Sequence, residues 1–463
     1  MKKFTLTSIA CLLSACAFAQ TLSDGYYRVL NNSTSRYITI IDNYGKINYQ
    51  ANDADLGAIQ TVRGFDYVES DPGSIIFIDV VSASGNNMKC DFSAQGVKTS
   101  KFLDGGCLDV QYVNRGENIG TYMVGASKAG ITLYLSDSRL GIDDNASDIL
   151  SSVTTKDSQN KYWKVLPVNQ DANQYFGMKP EFNIGSDWYM SFYAAFPFSF
   201  QSSGMEAYIV NRIDNTDGTC NLTKMEGDVP ASTPVFVKCA SSVPADNRLD
   251  IHQSSLTAPA GNYLRGVYFD RTVPIDPGNP HEDYVVNDTA HMRVLGVCSD
   301  GKLGFVKSTL AHIPANRAYL AVGVGSPAEF AIINNPVTSL KLDATTLELM
   351  TGESATLTAT IAPADADRQT LRWYSSDPSV VKVEDGVVTA LAEGFATVTA
   401  ETTDGTHRKA QCAITSVSAI QKVTVDEPQT TSRSQMYDTA GKSVDAPHKG
   451  AIIIKDGKKY LVR

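Results

Sequence analysis

Six histidines, His252, His281, His291, His312, His407 and His448, are the chain's whole supply of imidazole. No two of them stand four residues apart beside a glutamate, so the zinc-hydrolase helix pattern is missing. Neither Gly-x-Ser-x-Gly nor a P-loop occurs. The glycine-rich run Ala321-Val322-Gly323-Val324-Gly325-Ser326 does not open a helical pattern, which argues against a phosphate cradle. Asp214-Asn215-Thr216-Asp217-Gly218 has the outline of a calcium loop, but it lacks the alternating acids and the distal glutamate. It reads as a polar hairpin turn. Adjacent acids such as Asp143-Asp144 and Glu384-Asp385 are commonplace on an acidic chain. A glycosidase pair can stand far apart in sequence, so spacing alone does not exclude one. The expectation is a chain with no catalytic residue, no metal and no cofactor.

The elements that would have to position a site are strands. Short runs rich in Val, Ile, Thr, Tyr and Phe are bounded by Gly, Asn, Asp and Pro, and long 3.6-period stripes are missing. The fold class is therefore all-β. At 463 residues a single core is improbable, so several domains are expected. The net charge of −10 argues against binding nucleic acid through its phosphates.

The first residues carry an address. Lys2 and Lys3 precede the apolar stretch Phe4 to Leu13, and Ala17-Phe18-Ala19 is a small-x-small cleavage site before Gln20. Residues 1–19 read as a secretory signal peptide. Leu13-Ser14-Ala15-Cys16 also resembles a bacterial lipobox, in which Cys16 would carry a lipid and anchor the protein. Cleavage after Ala19 is the preferred reading. No later apolar run approaches the length of a membrane helix. Beyond the signal, Cys90, Cys107, Cys220, Cys239, Cys298 and Cys412 form no CxxC pair. Cys90–Cys107 and Cys220–Cys239 could be short-range disulfides in an oxidising compartment; buried free thiols are the other reading.

Residues 20–168 hold a weak threefold repeat of strand, turn and returning strand. Its copies are Tyr37-Ile38-Thr39-Ile40 with Gly45, Ile47 and Tyr49; Met88 to Phe92 with Gly96 and Val97; and Tyr122-Met123-Val124 with Gly130, Ile131 and Leu133. Together with Asp24 to Val29 and Tyr162-Trp163-Lys164-Val165, this resembles the ricin-type β-trefoil family, although Lys161-Tyr162-Trp163 does not preserve that family's Gln-x-Trp. The resemblance implies that Asp42 and Tyr44, on the first turn, are ligand-binding candidates for a sugar.

Residues 169–332 contain a second repeat, Val229-Pro230-Ala231-Ser232-Thr233-Pro234 and Ile313-Pro314-Ala315-Asn316-Arg317-Ala318, each leading into an apolar strand. The pattern resembles a β-rich module of exported Bacteroidetes proteins and carries no assigned chemistry. In residues 333–418, Trp373-Tyr374-Ser375-Ser376 and the strands opened by Gly386 and Gly394 follow in order. This resembles the bacterial Ig-like group 2 family, which implies a β-sandwich with Trp373 in its core. Residues 419–463 end in two strands and an Asp456-Gly457 hairpin, and resemble the C-terminal sorting domain of type IX secretion substrates.

The expected function is an exported, non-catalytic surface or secreted protein that presents a glycan- or host-binding module on Ig-like spacers. Its partners would be a glycan or host surface ligand and possible type IX secretion machinery, with no nucleic acid and an oligomeric state left open. Two alternatives stand: a hydrolase of polysaccharide or peptide with its site between the first two domains, and a structural surface or matrix component.

Overall fold

A computed structural model describes residues 21–40, 59–98, 107–128, 131–137, 148–153, 159–169, 173–270, 285–418, 435–455 and 458–462. Cys16, Asp42, Tyr44, Gly45, Ile47, Tyr49 and the Asp456-Gly457 turn lie outside the described residues. The fold is all-β. The chain divides into two compact units: Met1–Ile213 with Cys220–Ile332, and Asp214–Thr219 with Ile333–Arg463.

Among the described residues, the first part of unit 1 has eleven strands: β1 Gly25–Asn31, β2 Arg36–Ile40, β3 Ile59–Arg63, β4 Ile76–Ser84, β5 Asn87–Ala94, β6 Val97–Lys98, β7 Leu108–Tyr112, β8 Tyr122–Lys128, β9 Ile131–Asp137, β10 Asp148–Val153 and β11 Tyr162–Pro167. Their pairings close a ring, β1-β4-β5-β7-β8-β11 and back to β1, while β2-β3 and β9-β10 form hairpin-like pairs beside it. Closure removes open sheet edges. Alternation explains why: Met88, Cys90, Phe92 and Ala94 of β5 are buried, as are Leu108 and Val110 of β7, while the residues between them are more exposed. These side chains meet Val29, Ile78, Val124 and Trp163 in one core. The second and third sequence repeats appear as β5–β6 and β8–β9. In the first copy, β2 pairs with β3 at residues 59–63.

A fully buried arginine ties this part together. Arg28 on β1 donates from Nε to Ser74 Oγ (3.1 Å), from Nη1 to the carbonyls of Gln174 (3.0 Å) and Tyr175 (2.9 Å), and from Nη2 to the carbonyl of Val68 (2.9 Å). Burial pulls its pKa down to about 10, so it stays charged at neutral pH. Nearby Asp71 accepts from Thr39 Oγ1 and from the amide of Gly73. Burial raises its carboxyl above the usual range, against those hydrogen bonds and the charge of Arg28.

The rest of unit 1 is dominated by a ten-stranded sheet that runs from Phe182–Ile184 through Asp187–Phe192 and Val235–Cys239 to Arg317–Ala321 and Leu264–Val267 at its other end. Both Pro-Ala repeats lead into strands of this sheet, Val235–Cys239 and Arg317–Ala321. Cys90, Cys220, Cys239, Cys298 and Cys412 are buried and Cys107 is partly buried; all six are free thiols.

Unit 2 carries Ig-like sheets. One orders Thr346–Met350, Lys409–Val417, Gly394–Thr402 and Leu371–Ser375, and another orders Ser354–Thr356, Val387–Ala390 and Val381–Glu384. Val381, Val388, Val398, Cys412 and Ile414 form the core, with Trp373 half-buried against it. At the end of the chain, Met436–Asp438, Ile452–Lys455 and Lys458–Leu461 pair as a three-stranded antiparallel sheet, one strand more than the sequence suggests.

Candidate functional site

The Pro-Ala repeats do more than start strands. In each, the residue after Ala, Ser232 or Asn316, takes a left-handed backbone, with φ of 58° and 57°. Each turn then grips the short segment that follows strand Asp187–Phe192. Ser232 donates its amide to the carbonyl of Ala194 (2.8 Å). Tyr193 donates its amide to the carbonyl of Asn316 (3.1 Å), and Asn316 Nδ2 donates back to the carbonyl of Tyr193 (3.0 Å).

The clamp fixes Tyr193 at the wall of a cleft of about 470 Å³ within unit 1. Pockets for small ligands run to roughly 300–1,000 Å³, so the size suits one or two sugar rings. Tyr268 stacks on Tyr193 with ring centroids 4.4 Å apart and planes inclined by 32°. Its hydroxyl shares a 2.7 Å hydrogen bond with Ser232 Oγ, so the same turn that fixes residue 194 also orients this ring. Burial pushes the Tyr268 phenol well above its ordinary range, which keeps it neutral. The β5–β6 turn also lines the cleft, with Gly96 packed close to the Tyr268 ring. Gln95 and Gly96 have φ of 52° and 73°, as a two-residue hairpin turn with both central residues left-handed requires. Gln95 donates from Nε2 to Asn316 Oδ1 (2.8 Å), so the asparagine that holds Tyr193 also holds this turn. Phe269 and the exposed Lys98 complete the polar and aromatic character of the lining.

The described lining holds aromatic carbon, one primary amide and one ammonium group, and no carboxylate. Aromatic carbon and phenol hydroxyls suit the C–H and hydroxyl groups of a polyol, while the buried Gln95 amide, donating to Asn316, holds the lining in place. Glycoside hydrolysis needs two acids flanking the bond. Asp71, whose carboxyl burial holds high, is committed to Thr39 and Gly73 and does not line this cleft.

Gly266, on strand Leu264–Val267, is indispensable to the geometry. A Cβ there would sit 2.1 Å from ring carbons of Tyr193. Gly266→Ala is therefore expected to displace Tyr193 and destabilise unit 1 by about 1–3 kcal/mol. Denaturant unfolding of the full chain measures it; an unchanged midpoint would contradict the packing described.

Sequence reasoning did not find this cleft. Gln95, Tyr193 and Tyr268 stand far apart in the chain, and their only local signal was the glycine beside Gln95 and the second Pro-Ala turn. The Asp214–Gly218 turn is polar as expected: Asp214 Oδ1 accepts from the amides of Thr216 (2.9 Å) and Asp217 (2.8 Å).

Against known proteins, residues 336–414 match the bacterial Ig-like domain (group 2), and that segment of unit 2 is such a domain. The chain is 28% identical over 193 residues to an uncharacterized Clostridium acetobutylicum protein, covering 39% of this chain and 19% of that one. It is 45% identical over 75 residues to a lacto-N-biosidase of Bifidobacterium bifidum, covering 16% of this chain and 7% of that enzyme. It is 25% identical over 211 residues to an Ig-like virion protein of Serratia phage KSP90, covering 44% of this chain and 78% of that protein. The chain thus spans about a fifth or less of the first curated relatives it matches. Domains 4 and 5 of an S-layer protein align with 28% of this chain at 14% identity and a TM-score of 0.16, too loose a superposition to carry an argument about fold.

Proposed function

We propose that this chain is an exported, non-catalytic surface or secreted protein that binds a glycan or a host surface molecule in the cleft of unit 1, with its Ig-like domain as a spacer. The carrying observation is the lining itself: Tyr193, Tyr268, Phe269, Gln95 and Lys98, with no carboxylate among the described lining residues. A hydrolase with its site in this place would need a pair of acids there. The lacto-N-biosidase aligns over only 7% of its length, which conveys no activity. The Ig-like virion protein, aligned over 78% of its length, supports a surface role. The closed ring of β1, β4, β5, β7, β8 and β11 supports a β-trefoil arrangement for the first part of unit 1. On that arrangement Asp42 and Tyr44 form a second sugar contact. The terminal three-stranded sheet serves as a type IX sorting signal, and the first nineteen residues as the signal peptide.

The test is a glycan array with the full mature chain, followed by calorimetric titration of the best binder. Tyr268→Ala is expected to weaken binding at least tenfold while the unfolding midpoint stays near that of the parent. Binding that survives Tyr268→Ala but is lost in Asp42→Ala would move the site from the cleft to the first-repeat turn. No binding to any glycan or host-cell extract would overturn the reading.

A further inference from the structure

Unit 2 holds a second cluster of chemistry-bearing groups, and it falls on the loop that the sequence left as a plain polar turn. Asp214 and Asp217 lie on the six-residue segment Asp214–Thr219. His407 lies on the turn between strands Gly394–Thr402 and Lys409–Val417. Asp404 builds that turn: its Oδ2 accepts from the amide of Val337 (2.6 Å) and its Oδ1 from the amide (3.1 Å) and hydroxyl (2.5 Å) of Thr406. His407 itself is left-handed, with φ of 52°. One ligand-capable atom from each of Asp214, Asp217 and His407 lies within 4.8 Å of the others.

Each carboxylate uses one oxygen to hold itself in place and turns the other toward the imidazole. Asp214 spends Oδ1 on the turn amides of Thr216 and Asp217, and its Oδ2 lies 2.7 Å from His407 Nε2. Asp217 gives Oδ1 to the guanidinium of Arg372, and its Oδ2 lies 3.6 Å from His407 Nδ1. That Oδ2 is the second observation. The Asp217 side chain is 1% exposed, yet Oδ2 has no hydrogen-bond partner among the described residues. Thr219 Oγ1, on the same segment and also buried, has none either. Two orphaned buried oxygens within six residues are costly without a further partner. A proton on His407 answers Asp214 and Glu401, whose Oε1 lies 2.9 Å from Nδ1. It reaches Asp217 Oδ2 only as an ion pair at 3.6 Å and gives that oxygen no hydrogen bond.

We propose that Asp214, Asp217 and His407 form a binding site for a first-row divalent cation of the zinc class. One imidazole nitrogen and two carboxylate oxygens are a donor set for such ions, where calcium and magnesium prefer oxygen alone. Coordination uses Nε2, and Glu401, whose Oε1 lies 2.9 Å from Nδ1, takes the other N–H and orients the ring. The neighbouring cations do not crowd the site out. Arg372 pairs with Asp217 Oδ1 and lies 3.8 Å from Glu401 Oε1, and Lys409 lies 3.3 Å from Glu401 Oε2, on the far oxygen of that carboxylate. With both offset, Asp214 supplies the charge that a cation answers. The site is structural: it pins the Asp214–Thr219 segment to the Ig-like turn, and it involves neither the cleft nor its ligand.

The full mature chain, freed of metal with a chelator and dialysed, is titrated with zinc chloride by calorimetry, and its thermal unfolding is followed with and without zinc. The expected result is uptake of one equivalent and an upward thermal shift. His407→Gln and Asp217→Asn should each weaken uptake at least tenfold, while His291→Gln leaves it unchanged. Should Asp217→Asn fail to fold, Asp214→Asn replaces it as the carboxylate variant. Absence of zinc-dependent heat and of any thermal shift in the parent overturns the proposal, as does equal uptake by the His407→Gln protein.

Discussion

Arg28→Leu is expected to destabilise unit 1 by about 3–5 kcal/mol, the range seen when one partner of a buried charged network is removed. Leucine fills much of the volume but donates nothing. The carbonyls of Val68, Gln174 and Tyr175, which now receive charged N–H groups at 2.9–3.0 Å, would each lose a donor in a site closed to water. Such losses cost about 1–3 kcal/mol apiece when nothing replaces the donor. Asp71 would also lose the Arg28 charge that favours its ionised form. This gives the substitution a pH signature. The Asp71 carboxyl is already held above its unfolded value, so its ionisation penalises the folded state. The penalty is absent below the unfolded pKa and grows as pH rises through the folded one. Removing Arg28 enlarges that penalty. The deficit relative to the parent should therefore be greatest at neutral pH and shrink in acid. Urea unfolding of both proteins at neutral and mildly acidic pH measures it. A deficit independent of pH would mean that Asp71 does not sense Arg28.

Trp163→Ala should cost about 3–5 kcal/mol, the usual range for deleting a large aromatic from a core. Trp163 is fully buried on β11, paired with Asn31 of β1 and with Tyr122 of β8. It therefore sits where the ring of strands closes. Its indole donates to the carbonyl of Leu135 at 3.2 Å, so truncation leaves a cavity and an unanswered carbonyl together. Trp163→Phe restores most of the volume without the donor and should recover more than half of the loss. Equal damage from both substitutions would place the whole effect on the hydrogen bond, against the packing account.

The parts of this fold that were legible in the sequence are those written locally. The two glycine-opened strands and Trp373 marked the Ig-like segment, whose matched span of 336–414 falls inside the expected 333–418. The hairpins at Met88–Val97 and Tyr122–Leu133 were visible because a glycine sits at each turn. Sites were a different matter. The Ser232 and Asn316 turns looked like strand starters, because nothing local says that a left-handed residue in each will reach for the backbone of residues 193 and 194. His407 carried no signal at all, since its partners on the Asp214 turn are almost two hundred residues away. A hairpin announces itself through its own turn, whereas a cleft or a cation site is made by pairings that sequence spacing does not encode. The candidates drawn from family resemblance, Asp42 and Tyr44, fall on a segment outside the described residues.

The chain has three tryptophans, and the architecture gives each a different neighbourhood: Trp163 deep in the closed ring, Trp188 half-buried in the ten-stranded sheet and Trp373 half-buried in the Ig-like domain. Each can therefore act as a separate optical reporter. Three proteins that each keep a single indole, the other two replaced by phenylalanine, would resolve by emission wavelength which region melts first. They would also show whether a ligand in the cleft or an ion at His407 steadies its own region alone.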